Sequence, residues 1–174
     1  MASGKYLTID ASGHKIEEQG INSSAGAADA DKIPRLDADG LLDQSMMPAG
    51  VAPDTADLTA SEALAAGDFV NVWDDGGTPS CRKADASTAS AGKRADGYVK
   101  AAVTLGGTAT VFFEGSNDQL TGLTVGSMYY LDGTTPGAVT ATAPTTSGHI
   151  LQEVGRAVSA TKIATEISAP VIRA

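Results

Sequence analysis

The sequence predicts a mainly β protein: a compact antiparallel β-barrel or sandwich preceded by a long, extended N-terminal arm. Three observations predict it. From about residue 59 onward, short runs rich in β-branched and aromatic residues recur between turn signals. Glycine is abundant, 20 of 174 residues, whereas aromatics are only 5%, which suits short strands of Val, Ile, Leu and Thr joined by tight turns better than a helical bundle. The first 58 residues lack this patterning, which divides the chain into an arm and linker, 1–58, and a β-domain, 59–174.

Within the arm, Lys5-Tyr6-Leu7-Thr8-Ile9 is strand-like and is closed by the turn signal Asp10-Ala11-Ser12-Gly13. Residues 22–31 are Asn, Ser, Ala, Gly and Asp only, so burial contributes nothing to order them and they read as a loop or linker. Lys32-Ile33-Pro34-Arg35-Leu36 is extended by virtue of its proline. Asp37 to Gly40 turns it, and Leu41 to Pro48 follows with apolar groups but no core of its own.

In the β-domain, Ser61 to Gly67 contains helix formers, yet seven residues make a marginal helix, and strand or irregular structure is expected. Strands are expected at Phe69–Trp73 and Ser80–Ala84. Tyr98 to Leu105 alternates, placing Val99, Ala101, Val103 and Leu105 on one face, with a hairpin at Gly106-Gly107 leading into Thr108–Glu114. Further strands are expected at Met128–Leu131, Ala138–Thr142, Ile150–Val158 and Lys162–Ile167. The expected core is Val99, Val103, Val111, Phe113, Leu131, Val139, Val154 and Ile163.

Composition narrows function. The net charge of −9 repels phosphate backbones and anionic lipid, so neither nucleic acid nor a membrane surface is expected as a partner. The start of the chain has no apolar run of the signal-peptide kind, and no stretch approaches the roughly 20 apolar residues of a membrane span. Cys81 is the one cysteine and reads as a structural residue in a strand. His14 and His149 have no second ligand at metal spacing. Asp37-Ala38-Asp39-Gly40 opens like a calcium loop, but Leu41, Leu42 and Pro48 stand where that loop needs acid, glycine and glutamate. Neither a phosphate-binding loop nor a nucleophile elbow is present, and adjacent carboxylates such as Glu17-Glu18 point to opposite strand faces. No catalytic residue, cofactor or metal is expected, and the chain reads as a non-enzyme.

The remaining signal is contact. The arm carries apolar side chains that alone bury little; laid along another protein they would cover about 500–1,000 Å². Ile33, Pro34, Leu36, Met46, Met47 and Pro48 are the expected partner-contact residues.

Asp31 to Pro48, running Lys-apolar-Pro-x-Leu-Asp-x-x-Gly and then to Met-Pro, resembles a linker of tailed-bacteriophage virion proteins. Ala65 to Val72, Arg82 to Asp85, Ala95 to Val99, Gly122 to Leu131, Gly137 to Pro144 and Val154 to Ala157 extend the resemblance across residues 31–167. Together they are similar to small β-domains of phage capsid decoration, or cement, proteins. That resemblance implies a virion protein assembled in a bacterial cytoplasm, a homotrimer on the capsid surface, and the major capsid protein as partner. Two other readings are a head-fibre, tail-fibre or baseplate module, and a carbohydrate-binding domain that would stack sugars on Trp73, Tyr98, Tyr129 or Tyr130.

Overall fold

The computed structural model describes residues 4–38, 40–47, 53–87 and 92–174. They fall into two compact units, 1–52 and 53–174.

In the first unit, β1 (Lys5–Ile9) and β2 (Lys15–Gln19) form an antiparallel hairpin, with Leu7 opposite Glu17. The turn between them is closed by the Asp10 carboxylate, whose Oδ1 accepts the N–H groups of Ser12 and His14 at 2.9 Å each. Two short 3-10 turns follow, Gly26–Asp29 and Gln44–Met46. The expectation of a long extended arm over 1–58 is therefore not confirmed, because residues 5–19 fold back on themselves. The sequence signal for β2 is weak because Lys-Ile-Glu-Glu-Gln carries one β-branched residue among charges.

The second unit begins with β3 (Thr55–Ala60), followed by β4 (Phe69–Asp75), β5 (Thr78–Lys83), β6 (Gly97–Val99) and β7 (Thr108–Phe112). These five close into a barrel in the order β3-β5-β4-β6-β7. Its pairs are antiparallel except β3 with β5, which runs parallel. A second sheet is built from β8 (Ser116–Asn117), β9 (Met128–Leu131), β10 (Val139–Thr140), β12 (Glu153–Ser159) and β13 (Lys162–Thr165), in the order β10-β9-β12-β13-β8. The short pair β11 (Ile150–Leu151) and β14 (Val171–Ile172) completes the unit. The protein is mainly β with a closed barrel, and Ser61–Gly67 is irregular, tied by an isolated bridge from Leu64 to Val103.

Strand pleating sorts the core into two layers. Val70, Cys81, Val99, Ala109 and Val111 pack together with Ala60 and Leu64 inside the barrel. Their strand neighbours Phe69, Tyr98 and Phe112 face the other way and pack with Leu131, Val154 and Ile163 of the second sheet. Small and β-branched side chains fill the barrel because five strands leave a narrow interior. Tyr98 sits at the seam, stacked on Phe112 with ring centroids 5.6 Å apart and tilted against Phe69 at 6.0 Å.

Gly97 permits that closeness, since a Cβ there would lie 2.6 Å from the Phe112 carbonyl oxygen. Gly155, at φ +138°, marks the register shift between β12 and β9, where a Cβ would collide with the Ala164 carbonyl.

Of the expected core, Val99, Val111, Leu131, Val154 and Ile163 are fully buried, whereas Val103, Phe113 and Val139 are half-buried. The alternation read over Tyr98–Leu105 does not hold. β6 ends at Val99, Ala101 is exposed and Leu105 is 71% exposed, because residues 100–107 form a long loop.

Candidate contact surface

The first unit holds its shape by polar means. Lys5 Nζ lies 3.1 Å from Glu17, and Lys32 Nζ lies 3.1 Å from Glu18. Ile21 receives the 33–35 segment alongside it: its N–H donates to the Ile33 carbonyl at 3.0 Å, and the Arg35 N–H donates to the Ile21 carbonyl at 2.8 Å. Arg35 also grips the Asn22 side-chain oxygen with two guanidinium nitrogens. The Asp37 carboxylate accepts the Leu41 N–H at 2.9 Å, and the Asp37 N–H donates to the Leu41 carbonyl, also at 2.9 Å. Ser45 Oγ accepts the Ser24 N–H at 2.7 Å, tying the two 3-10 segments together.

Among the described residues, these bonds come with no apolar core in this unit. Among its described residues only Gly20 is buried. Leu7, Ile9, Ile16, Ile33, Leu36, Leu41, Leu42 and Met47 are all exposed, Leu36 at 56% and Ile9 at 67%. Of the expected contact residues, Ile33, Pro34, Leu36 and Met47 are exposed and Met46 is half-buried, while Pro48 lies outside the described residues. The hairpin side chains Leu7 and Ile9 join them; β1 was legible as a strand, but which of its faces would be open was not.

Carboxylates here serve turns and ion pairs. Asp10 is held below the ordinary carboxylate range chiefly by the backbone N–H of His14, Glu18 by its hydrogen bond from Lys32, and Asp43 by the Ser45 hydroxyl. His14 Nδ1 stands 3.5 Å from Asp10 on an exposed turn.

In the second unit, Cys81 is fully buried in the barrel, and burial pushes its thiol pKa up, opposite to what a nucleophile needs. Among the described residues no group of three or more His, Cys, Asp or Glu side chains is placed to hold a metal ion, and no helix is long and apolar enough to cross a membrane.

The aromatic residues are engaged elsewhere. The Arg82 guanidinium covers the Trp73 ring at 4.4 Å, and the indole N–H donates to Ser61 Oγ at 3.1 Å. Tyr98 donates to the Glu114 carbonyl, Tyr129 accepts the Thr124 N–H, and both rings are buried. Tyr130 is half-buried. The Trp73 face under Arg82 and the buried rings of Tyr98 and Tyr129 are not open to sugar stacking.

An open cleft of about 640 Å³ lies between the barrel and the second sheet. Its floor is Gln152, 1% exposed, whose amide is fully committed: the side-chain oxygen accepts the Ala95 N–H at 2.8 Å, and the NH₂ donates to the carbonyls of Ala95 and Ser168 at 2.9 and 3.0 Å. The cleft is thus lined by a structural staple that short-range sequence signals do not reveal, since residues 95 and 152 meet only in the fold.

No protein-family model matches the chain. No curated protein matches it either.

Proposed function

We propose that the protein is a non-catalytic structural component of a bacteriophage virion that decorates the capsid and braces neighbouring capsid subunits. One observation carries the reading: a first unit with no core cluster among its described residues, presenting Ile33, Pro34, Leu36, Met47, Leu7 and Ile9 to its surroundings, on the same chain as a second unit with a sealed core. Apolar side chains in that number, held by polar turns rather than by packing, are a surface awaiting a protein partner. The resemblance of residues 31–167 to phage decoration β-domains supports the major capsid protein as that partner. A ligand that binds the assembled shell and not its free subunits stabilises the shell by mass action. Many copies on one lattice multiply the effect of each weak contact.

The test is co-sedimentation of the purified full chain with capsids stripped of accessory proteins. Binding at a fixed ratio to capsid subunits, lost when residues 1–52 are removed and weakened at least tenfold by Leu36→Lys, is the expected result. A truncated chain that still decorates at full occupancy would overturn the role given to the first unit. Recovery on tail or baseplate fractions, with none on capsids, would replace decoration by a fibre or baseplate role.

A further inference from the structure

The hairpin of the first unit has two unlike edges. Backbone bonds at its ends fix which residues face outward: Gly20 donates to the Gly4 carbonyl and Asp10 to that of His14, each at 3.0 Å. Bonded and non-bonded positions alternate in an antiparallel pair, so Tyr6 and Thr8 turn their N–H and C=O groups toward β2, and Lys5, Leu7 and Ile9 turn theirs away. Among the described residues nothing bonds those outward groups. The same stretch exposes Leu7 and Ile9, at 60% and 67%. An open edge with apolar side chains is a template for another strand, and proteins usually blunt such edges with charge.

The β2 edge is blunted in that way. Its outward residues are Lys15, Glu17 and Gln19, and just beyond it Ile21 is already bonded by the 33–35 segment. Two copies of the hairpin can meet edge to edge in three ways. Pairing β2 with β2 of another copy sets Glu17 against its own twin. Pairing β1 with another copy's β2 sets Leu7 and Ile9 against a charged edge. Pairing β1 with β1 sets apolar against apolar, and Lys5 brings no free charge because Glu17 lies 3.1 Å from it in its own hairpin.

We propose that β1 pairs edge to edge with β1 of a second copy, antiparallel about a two-fold axis at Leu7. In this register Leu7 faces its twin and Lys5 faces Ile9 of the other copy. All three outward residues then bond, for about six main-chain hydrogen bonds. A register centred on Thr8 leaves Lys5 without a partner. Two marginal two-stranded hairpins become one four-stranded sheet. The contact is small beside the roughly 800 Å² per partner of a stable interface, so pairing is weak in dilute solution and strengthens where copies are held close together. It rests on the free edge and not on the proposed virion role, and it departs from the threefold assembly that the resemblance implies.

Cross-linking tests it in the full chain. Leu7→Cys introduces an exposed thiol, while native Cys81 is sealed in the barrel and does not compete. Directly opposed residues of a bonded pair lie about 5.5 Å apart at Cα, within disulfide reach. Mild oxidation is expected to convert most of the concentrated Leu7→Cys protein to covalent dimer. Glu17→Cys treated identically is expected to stay monomeric, and a mixture of the two variants to yield only links between introduced thiols at position 7. Equal cross-linking of the two variants, or links between positions 7 and 17, would overturn the two-fold. Sedimentation equilibrium of the unmodified chain gives an independent arm. Mass should rise toward two chains with concentration, at least tenfold less readily for Leu7→Lys. A mass that stays at one chain, or climbs to three, would remove the proposal whatever the capsid assay shows.

Discussion

The two units of this chain reach order by opposite routes. The second buries Phe69, Tyr98, Leu131, Val154 and Ile163 in one layer and Val70, Val99 and Val111 in another. The first, with a similar density of apolar residues in its sequence, buries none of those among its described residues and relies on carboxylate-closed turns, ion pairs and a hairpin. Exposed polar links of that kind contribute little each, whereas a buried aromatic contributes several kcal/mol. Apolar content alone therefore does not make a core. What matters is whether the chain returns often enough to enclose it, and the barrel does so with five strands while the hairpin has two.

The sharpest way to break the comparison is at Tyr98. Tyr98→Ala removes a fully buried ring from the seam between barrel and second sheet, and is expected to cost about 3–5 kcal/mol in urea unfolding. Gln152→Leu comes next. It leaves the N–H and C=O of Ala95 and the C=O of Ser168 without their partners, an expected cost of about 1–3 kcal/mol. Phe113→Ala should cost less than Tyr98→Ala, about 1–2 kcal/mol, because the ring is only half-buried. A larger loss at Phe113 than at Tyr98 would reverse the assignment of strand faces. Leu36→Ser, on the exposed surface of the first unit, should move unfolding by no more than about 0.5 kcal/mol.

The smallest effect is confined to the first unit and appears with acid. Asp10, Glu18 and Asp43 all have lowered pKa values, so their ionised forms are favoured by the fold. Their contributions are present above the ordinary carboxylate range of about 4 and are lost as pH falls through the lowered values. NMR of the Ser12, His14 and Ser45 amides from about pH 6 to 2 should show these turns loosening only below pH 4 while the barrel amides stay protected. Loosening at or above that range would mean the turn bonds are not made in solution.

Much of the second unit was legible. Phe69–Trp73, Thr108–Phe112, Met128–Leu131 and the run beginning at Ile150 are dense in β-branched and aromatic residues, and each is a strand. β3 was not read as a strand, since Thr-Ala-Asp-Leu-Thr-Ala has one large apolar residue and takes its place from the strands on either side. The false alternation after Tyr98 shows the converse. Val99 to Leu105 has the right period, but the chain leaves the barrel at Lys100 because β7 pairs only as far as Val99. The surface was legible in part: Ile33, Pro34, Leu36 and Met47 are exposed as the lack of a local core implied, while the unlike edges of the hairpin depend on pairing register, which residue types alone do not carry.

The closure of the barrel has a consequence for how the chain is made. β3 pairs with β7 across more than fifty residues, Asp57 to Thr110, and contacts β5 only at Thr59–Ala60. During synthesis β3 emerges before its principal partner exists. Loop closure of that length adds only modestly to the entropy cost but delays the contact, since distant pairings form slowly. β4 and β5, joined by a tight turn at Gly76-Gly77, are positioned to form first and wait for both neighbours. The first barrel strand to leave the ribosome is thus among the last to be seated, and a nascent chain halted before Thr108 would hold an open β5-β4-β6 remnant with its Val70 and Cys81 face uncovered.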